Sequence, residues 1–181
     1  PAIRLSFFLG ILTAMAGRYT SSYHDLPFAA YQFQTKFRNE ARAKSGLLRG
    51  REFLMKAMYS FHADENNLED YYQNSAIPAY KKIFKRLDLD AVLTEASGGS
   101  FSKFSHEFQT LLSEGEDTIY LCEKCRVVVN KEIISEQPAC PSCGNAKLAE
   151  SRGAEVGNIF KLKTKYSAPF ELRYKDEKGD S

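Results

Sequence analysis

The chain has 181 residues, 43% of them hydrophobic and 27% charged, which is enough for a globular domain with a core of its own. Its formal net charge is +2, so the chain as a whole is not a polybasic binder of nucleic acid. The cysteine count of four, arranged as two Cys-x-x-Cys pairs, favours a metal site in a reducing compartment, by default the cytoplasm, over a disulfide framework.

The first predicted element is a helix over residues 5–23, which the Asp25-Leu26-Pro27 sequence would end. Its first part, LSFFLGILTAMAG, is apolar and imitates a secretory leader, but it is shorter than the about 20 residues that span a bilayer. We therefore expect a buried helix and no membrane partner, with export as the alternative. The chain opens at Pro1 and ends on KDEKGDS without a closing element, so we expect a piece of a longer protein.

A long antiparallel hairpin is predicted next, with residues 29–40 as its first strand and residues 52–61 as the returning strand. The first strand alternates between an aromatic face and a polar face, made respectively by Tyr31, Phe33, Thr35 and Phe37, and by Gln32, Gln34, Lys36 and Arg38. Because side chains repeat every two residues along a strand, Arg38 and Glu40 should project from the same face.

The charges of this hairpin suit an adenine nucleotide. Six basic residues outnumber the single acid, Glu40, between positions 36 and 51: Lys36, Arg38, Arg42, Lys44, Arg49 and Arg51. The Arg38 guanidinium matches a phosphate, the Glu40 carboxylate could accept a hydrogen bond from an exocyclic amine, and the Phe53 ring could stack on a purine. The alternative is a solvated hairpin with a surface Arg–Glu pair.

A helix is predicted after Asp64, its N-cap, with a kink at Pro78. Two strands should follow on either side of the Gly98-Gly99-Ser100 turn, over residues 91–96 and 104–112. The helix should bury the apolar residues that fall at helical spacing: Leu68, Tyr72, Tyr80, Ile83, Phe84 and Leu87. In this mixed order, the elements predict an α+β fold with a largely antiparallel sheet and flanking helices.

The cysteine module occupies residues 118–150. Cys122 and Cys125 form the first pair, Cys140 and Cys143 the second, and 14 residues separate the pairs. Four thiolates at this spacing can surround Zn²⁺ tetrahedrally, and the intervening VVVNKEII would suit a short hairpin. Since four cysteines saturate the ion, its role should be structural; two disulfides or a redox pair are the alternatives.

Three blocks of sequence follow one another along the chain. They are SSYHDLPFAAYQFQTKFRNEARAKSGLLRGREFLMKAMYSFHADE (residues 21–65), EASGGSFSKFSHEFQTLLSEGEDTIYLC (residues 95–122) and EVGNIFKLKTKYSAPF (residues 155–170). The first resembles motif 2 of the bacterial-type prolyl-tRNA synthetases, which are class II aminoacyl-tRNA synthetases, and the other two are similar to later blocks of the same family. Ordered blocks of this length are far more specific than one short motif.

The resemblance implies an ATP-dependent ligase that activates proline as prolyl-adenylate and transfers it to tRNA(Pro), with Mg²⁺ accompanying ATP. In this family the arginine matching Arg38 is catalytic and grips the α-phosphate, the residue matching Glu40 reads the adenine amine, and the ring matching Phe53 stacks on adenine. Arg49 and Glu155 also fall among the ATP-binding residues. The resemblance assigns five residues to the amino-acid pocket and two to the loop that meets tRNA phosphates: Met55, Tyr59, Gly157, Asn158 and Phe160, and Arg42 and Lys44.

The resemblance also implies an organisation for the chain. Residues 1–117 would be a partial catalytic core with the motif 2 hairpin at about 29–61, and residues 151–181 would continue that core and end before motif 3. Residues 118–150 would be a small zinc ribbon in place of an editing insertion. The full-length protein would be a homodimer.

The sequence departs from the family at several positions. Residues 1–16 do not resemble the Thr-x-Glu segment that holds the proline amine, Ala57 replaces an aspartate, and Lys163 replaces a glycine whose backbone a lysine would strain. Motif 1, motif 3 and the anticodon-binding domain are not visible. The His106–Glu107 pair would support the pocket or pack as ordinary strand residues. Two other interpretations stay open: a degenerate fragment that binds nucleotide or tRNA without catalysis, and a zinc-ribbon interaction protein.

Overall fold

The computed structural model describes residues 7–41, 43, 46, 49–99 and 102–180. Its helices are α1 (Phe7–Tyr19), α2 (Glu65–Tyr71) and α3 (Ile77–Arg86), and its strands are β1 (Phe28–Phe37), β2 (Glu52–Phe61), β3 (Ala91–Ser97), β4 (Phe104–Leu111), β5 (Asp117–Leu121), β6 (Val128–Asn130) and β7 (Ala149–Ile159). The chain divides into two compact units, here named the hairpin unit (residues 1–69 and 163–181) and the barrel unit (residues 70–162).

β1 and β2 form the antiparallel sheet of the hairpin unit, which confirms the predicted hairpin. β1 ends at Phe37, however, so the prediction that the strand continues to Glu40 is wrong. The Arg38 N–H still donates to the Arg51 carbonyl (2.9 Å), but the Glu40 N–H turns back to the Arg38 carbonyl (2.8 Å). Arg51 Nε donates to the Glu40 carbonyl (2.9 Å), so a side chain replaces the strand partner and the ladder stops.

The two faces of the hairpin differ in exposure. The aromatic face is open to solvent, with Tyr31 65% and Phe33 68% exposed. The polar face, which carries Gln34 and Lys36, is half-buried or buried along the whole of β1. The polar side of the strand is therefore the enclosed one, which is the reverse of an ordinary amphipathic strand.

α1 ends at Tyr19 instead of at residue 23, and a short 3₁₀ turn at Tyr23–Asp25 follows it; the predicted start at residue 5 lies outside the described residues. One side of the helix is buried, as Thr13 and Ala16 are almost inaccessible. A Cβ added at Gly10 would lie only 3.3 Å from the Phe170 ring, so the helix packs closely on the C-terminal segment. Among the residues that the structure describes, no helix is both long and apolar enough to cross a membrane.

α2 begins as predicted, with the Asp64 carboxylate accepting a hydrogen bond from the Asn67 N–H (2.7 Å). A wide turn over Tyr72–Ala76, in which the hydrogen bonds span five residues instead of four, joins α2 to α3. Pro78 lies in the first turn of α3 and has no N–H to donate to the preceding turn. The wide turn therefore ends just before Pro78, and the kink at Pro78 itself stays a prediction.

The predicted apolar face of the helix is only partly buried. Tyr72 and Phe84 belong to the core, whereas Ile83 is 49% and Leu87 is 62% exposed, which corrects the prediction for these two residues. The wide turn shifts the helical phase, so residues placed on one face by uninterrupted α-helical counting do not share that face.

Five strands of the barrel unit close into a barrel in the order β3-β4-β7-β5-β6. Neighbouring strands are antiparallel except for β3 and β6. These two strands pair in parallel over a short stretch at Thr94 and Glu95 of β3, and this pairing closes the barrel. A bulge in the β4–β7 ladder at Phe108/Gln109 bends the sheet. The structure therefore confirms an α+β fold with largely antiparallel strands, while the closure was not predicted.

Two apolar clusters stabilise the barrel unit. Outside the barrel, Phe108 of β4 packs against a set from the helical segment, Tyr72, Ile77 and Phe84. Val92, Ile119 and Val128 form the second cluster. Because Val128 is fully buried between β3 and β5, the VVVNKEII segment does not form a hairpin of its own: β6 ends at Asn130 and a 3₁₀ turn follows.

The predicted boundaries at residues 117 and 150 both fall inside the barrel unit. β5 begins at Asp117, and β7 runs without a break from Ala149 to Ile159. The cysteine module is thus joined to the barrel by strands on either side. Its description as an insertion into a catalytic core stays a prediction.

Candidate functional site

One face of the hairpin gathers several of the predicted site residues. The Arg38 guanidinium carbon lies 5.1 Å from the centroid of the Phe53 ring, a cation–π distance. In the β1–β2 register Lys36 is opposite Phe53, Gln34 is opposite Met55 and Ala30 is opposite Tyr59, so these residues share the polar face. An arginine fork, an aromatic ring and two candidates for the amino-acid pocket therefore lie along one surface.

Glu40 lies beyond the end of β1, at the mouth of the loop. Its Oε2 is 3.5 Å from Arg49 Nη1, and its side chain is 26% exposed. Two predicted ATP-binding residues are therefore paired with each other, and an adenine amine would have to share this carboxylate with the guanidinium. Arg42 and Lys44, the predicted phosphate-loop residues, lie outside the described residues.

Lys36 was counted among the basic residues of the hairpin but was not assigned to the site. It is only 8% exposed and lies on the same face as Phe53. Burial lowers the pKa of Lys36, and the neighbouring charge of Arg38 lowers it further. Two cations on one partly enclosed face attract an anion such as phosphate, and the period-two alternation was the signal that could have identified Lys36.

Tyr59 has a neighbour that the sequence did not single out. Burial raises the pKa of Tyr59, and Tyr166 adds to the effect by its charge. Tyr166 belongs to the FKLKTKYS stretch of the third resemblance block, in the same unit as Tyr59. The proximity of Tyr59 and Tyr166, which come from distant blocks of the sequence, is a tertiary contact that strand periodicity cannot predict.

The remaining pocket residues lie at the end of β7, in the barrel unit. Asn158 Nδ2 donates to Glu155 Oε1 (3.0 Å). Glu155, a predicted ATP-binding residue, therefore orients the side chain of Asn158, a predicted pocket residue. A Cβ at Gly157 would lie 3.1 Å from Phe84 Cζ and 3.2 Å from Tyr80 Cε1, which explains a glycine at this point. Phe160 follows directly after the strand.

The His106–Glu107 pair is split between the two faces of β4. His106 Nδ1 lies 2.8 Å from the Tyr72 hydroxyl, and its Nε2 lies 3.8 Å from Glu95. Glu107 lies on the other face, where its Oε2 accepts hydrogen bonds from Gln109 Nε2 (3.1 Å) and Asn130 Nδ2 (3.3 Å). The two residues therefore act through different neighbours.

Glu107 is a partly buried acid in a polar cluster. Burial raises the pKa of Glu107 to about 7, and the charges of Glu155 and Asp117 add to the rise, while the hydrogen bonds from Gln109 and Asn130 oppose it. No local sequence pattern predicts this shift, because burial of position 107 depends on closure of the barrel.

The four cysteines form a compact cluster. The Sγ–Sγ distances are 3.6 Å for Cys122–Cys143, 3.3 Å for Cys125–Cys140 and 3.7 Å for Cys125–Cys143, and all four sulfurs lie within 4.8 Å of one another. Tetrahedral Zn²⁺ with bonds of about 2.3 Å separates its sulfurs by about 3.8 Å. The thiols are free of disulfides, and the donor set fits a tetrahedral thiolate metal.

The two knuckles repeat one backbone pattern. The Arg126 N–H returns to the Cys122 carbonyl (2.8 Å), and the Gly144 N–H returns to the Cys140 carbonyl (2.9 Å). Arg126 and Gly144 both have positive φ, +59° and +69°. Asn145 Nδ2 also donates to Cys122 Sγ (3.5 Å), and this hydrogen bond lowers the pKa of the Cys122 thiol toward the thiolate form that binds metal.

Comparison with known proteins agrees with these features. Residues 10–181 match the family described as tRNA synthetase class II core domain (G, H, P, S and T). A proline--tRNA ligase from Sulfurimonas denitrificans is 42% identical over 183 residues, covering 89% of this chain and 41% of that protein. A probable mitochondrial proline--tRNA ligase from Rattus norvegicus is 39% identical over 173 residues, covering 94% of this chain and 36% of that protein.

Solved structures show the same fold. A prolyl-tRNA synthetase from Cryptosporidium parvum complexed with halofuginone and AMPPNP has a TM-score of 0.64 at 17% sequence identity, covering 93% of this chain and 28% of that chain. A second structure of that synthetase, complexed with L-proline and AMP, has a TM-score of 0.62. The chain thus spans about two fifths, or less, of the length of the relatives it matches.

Proposed function

Because the chain belongs to the tRNA synthetase class II core domain family, we propose that the protein carrying it is a proline–tRNA ligase, an aminoacyl-tRNA synthetase of protein biosynthesis. Its substrates are ATP, proline and tRNA(Pro), and the full-length protein acts as a homodimer. The cytoplasm is its default location because the thiols are reduced, although several similar ligases carry the word mitochondrial in their names.

The observation that supports this proposal most directly is the polar face of the hairpin. Arg38 and Phe53 are 5.1 Å apart there, within the length of one nucleotide, with Lys36 buried beside them. An aromatic ring for the base and a guanidinium for the phosphate are the two groups that an adenine nucleotide requires. The same face continues into Met55 and Tyr59, the pocket candidates of this unit.

The proposed chemistry needs no nucleophile from the protein. The proline carboxylate attacks the α-phosphorus of ATP in line, pyrophosphate leaves, and a hydroxyl of the tRNA acceptor end then displaces AMP from prolyl-adenylate. Arg38 neutralises charge that develops on the α-phosphate, and Phe53 and Glu40 orient the adenine. Mg²⁺, bound with ATP, would supply further charge neutralisation on the phosphates. Gly157, Asn158 and Phe160 orient the amino acid.

The cysteine cluster is proposed to bind structural Zn²⁺ as a small ribbon-like element. The separations between its sulfurs and its matched knuckles support a saturated four-thiolate site, which leaves no open position for substrate. Its contribution is then to folding, because ligand binding and folding are coupled at such sites.

The test is proline-dependent exchange of pyrophosphate into ATP by the full-length protein. Arg38→Ala should lower kcat/KM by at least about a hundredfold, since it removes a charged donor from the reacting phosphate. Arg38→Lys should restore only part of the rate, because lysine lacks the planar fork. Lys56→Ala, on the exposed face of β2, is the charge-matched control and should retain activity. Exchange with serine or threonine alone would refute proline as the substrate.

Ala57 favours a second candidate, a nucleotide- or tRNA-binding module without catalysis. It lies opposite Gln32 on the polar face, where the similar family has an acid for the substrate ammonium. A module would bind ATP or tRNA while showing no exchange with any amino acid. Ala57→Asp then discriminates between the two: it should strengthen proline use in a ligase and change nothing in a module.

A further inference from the structure

Two tyrosine hydroxyls contact consecutive carbonyls of β7. The Tyr80 hydroxyl donates to the Asn158 carbonyl (3.0 Å), and the Tyr72 hydroxyl donates to the Ile159 carbonyl (3.2 Å). These carbonyls lie within the predicted pocket stretch, residues 157–160. β5 pairs with β7 only as far as Gly153, so among the described strands this end of β7 pairs with β4 alone. The hydroxyls therefore support a strand end that has one strand partner.

The wide turn before α3 brings both tyrosines to the same side of the helical segment. An α-helix advances about 100° per residue, so an eight-residue separation places two side chains about 80° apart. The wide turn over Tyr72–Ala76 contains one residue more than an α-helical turn. Tyr72 and Tyr80 are therefore placed as if seven α-helical residues separated them, and their side chains point in directions about 20° apart. The irregular turn thus has a specific consequence, which is alignment of Tyr72 with Tyr80.

Further contacts restrict both rings. Tyr72 is only 3% exposed, its hydroxyl also meets His106 Nδ1 (2.8 Å), and Lys161 Nζ lies 4.7 Å from its ring centroid. A hydroxyl has one proton, so while Tyr72 donates to the Ile159 carbonyl, His106 must donate from Nδ1. The Tyr80 ring stacks on Phe108, with centroids 4.8 Å apart at an angle of 14°.

Resting on the proposed function, we propose that Tyr72 and Tyr80 are positioning residues for the proline pocket. They hold the backbone at Asn158 and Ile159, so that Gly157, Asn158 and Phe160 are presented in one conformation. Neither tyrosine touches the reacting atoms. Their effect is on the affinity for the amino acid, and the chemistry on the phosphate is left to the hairpin.

The experiment uses the full-length protein with Tyr72→Phe and Tyr80→Phe, which each remove one hydroxyl and keep the ring. The KM for proline should rise about five- to tenfold in each variant, with kcat and the KM for ATP within about twofold of the parent. Tyr120→Phe is the matched control, because its hydroxyl bonds the Glu150 side chain at the other end of β7, and its KM for proline should not change.

A second measurement reads the positioning itself, whatever the substrate. Amide hydrogen exchange in the peptide covering residues 155–160 should become about tenfold faster in Tyr72→Phe and stay unchanged in Tyr120→Phe. Unchanged exchange there, or a parallel loss of kcat and of ATP affinity, would overturn the inference. A parent protein without proline-dependent exchange would instead overturn the proposed function, and the exchange data would still decide whether the tyrosines position β7.

Discussion

Lys163 occupies a backbone position that suits glycine. Its φ is +48°, in the left-handed region, where a residue with a Cβ loses about 1–2 kcal/mol. The resemblance had predicted strain at this lysine, because the similar family has glycine there. Lys163 Nζ is paired with Glu65 Oε2 at 3.1 Å, but the two side chains are 57% and 74% exposed, so the pair contributes little.

Lys163→Gly should therefore stabilise the protein by about 0.5–1 kcal/mol, since relief of strain outweighs the lost ion pair and the greater chain entropy of glycine. Urea unfolding of the variant and parent measures the difference. Lys165→Gly is the control at a residue without positive φ, and it should destabilise by a similar amount. A loss of stability in Lys163→Gly would show that the ion pair matters more than the backbone.

Glu107 makes a pH-dependent contribution to the stability of the barrel unit. Burial raises its pKa from 4.5 to about 7 in the folded chain, so the folded state retains a proton that the unfolded state releases. Stability from this group is fully present below pH 4.5 and declines as the pH rises through 7. After allowance for its partial exposure to solvent, the loss is about 1–2 kcal/mol.

Glu107→Gln should remove that decline, because an amide oxygen can still accept from Gln109 and Asn130 but carries no charge. We expect the variant to be more stable than the parent at pH 8 and about equal to it at pH 4.5, measured by urea unfolding across that range. Glu132→Gln, at an exposed acid of the same unit, should leave the pH profile of the parent unchanged. A Glu107→Gln profile that still declines toward pH 8 would assign the effect to other groups.

At the scale of elements, the sequence predicted what depends on neighbouring residues. Alternation identified β2 from Glu52 to Phe61, and Asp64 marked the start of the helix that follows. Alternation could not predict that β1 ends at Phe37, since that boundary depends on the hydrogen bond from the Arg51 side chain to the Glu40 carbonyl. Closure of the barrel depends on β3 meeting β6, a parallel pairing between segments 34 residues apart, at Thr94 and Val128. Local patterns carry no signal for such a pairing.

The residues of the candidate site also differ in whether they could be predicted from local sequence. The hairpin residues Arg38 and Phe53 could be assigned because they lie within one contiguous motif. The neighbours of Tyr59 and Glu107, namely Tyr166 and Asn130, come from distant segments and were not found. The exposure of Ile83 was misjudged for a further reason, since the wide turn before Pro78 changed the helical phase.

The cysteine knuckles are anchored in strands that help to close the barrel. Cys122 directly follows β5, and the first knuckle leads into β6, where Val128 and Val129 are fully buried. If the cluster binds Zn²⁺ as proposed, removing the ion should therefore loosen the barrel itself and not only the knuckles. Without a cation, four clustered thiolates repel one another, and the coupled folding energy is lost.

Chelation of the reduced protein should accelerate amide exchange in β5 and β6 at least tenfold, and it should release about one Zn²⁺ per chain in metal analysis. Cys143→Ser should reproduce the effect without chelator. Ser142→Ala, a neighbouring change that keeps all four thiols, should not. A structural metal would be contradicted if the reduced protein contained no zinc, or if amide exchange in β5 and β6 were the same with and without the chelator.

At the scale of the whole molecule, the predicted ligand groups are distributed between two compact units. Four of the five predicted ATP-binding residues belong to the hairpin unit, and Glu155 belongs to the barrel unit. Three of the five predicted pocket residues, Gly157, Asn158 and Phe160, belong to the barrel unit together with the cysteines, whereas Met55 and Tyr59 belong to the hairpin unit. A mutation that loosens one unit should therefore weaken the binding of one substrate more than the binding of the other.

Cys143→Ser in the full-length protein should raise the KM for proline at least tenfold while changing the Kd for ATP by less than about threefold, because the loosened β7 carries pocket residues and the hairpin keeps its own sheet. Arg38→Ala should show the opposite pattern, with ATP binding weakened most. Calorimetric titration of ATP and proline-dependent pyrophosphate exchange measure the two effects. Equal losses of both substrates in Cys143→Ser would mean that the units unfold together, and the assignment of separate tasks to them would then be wrong.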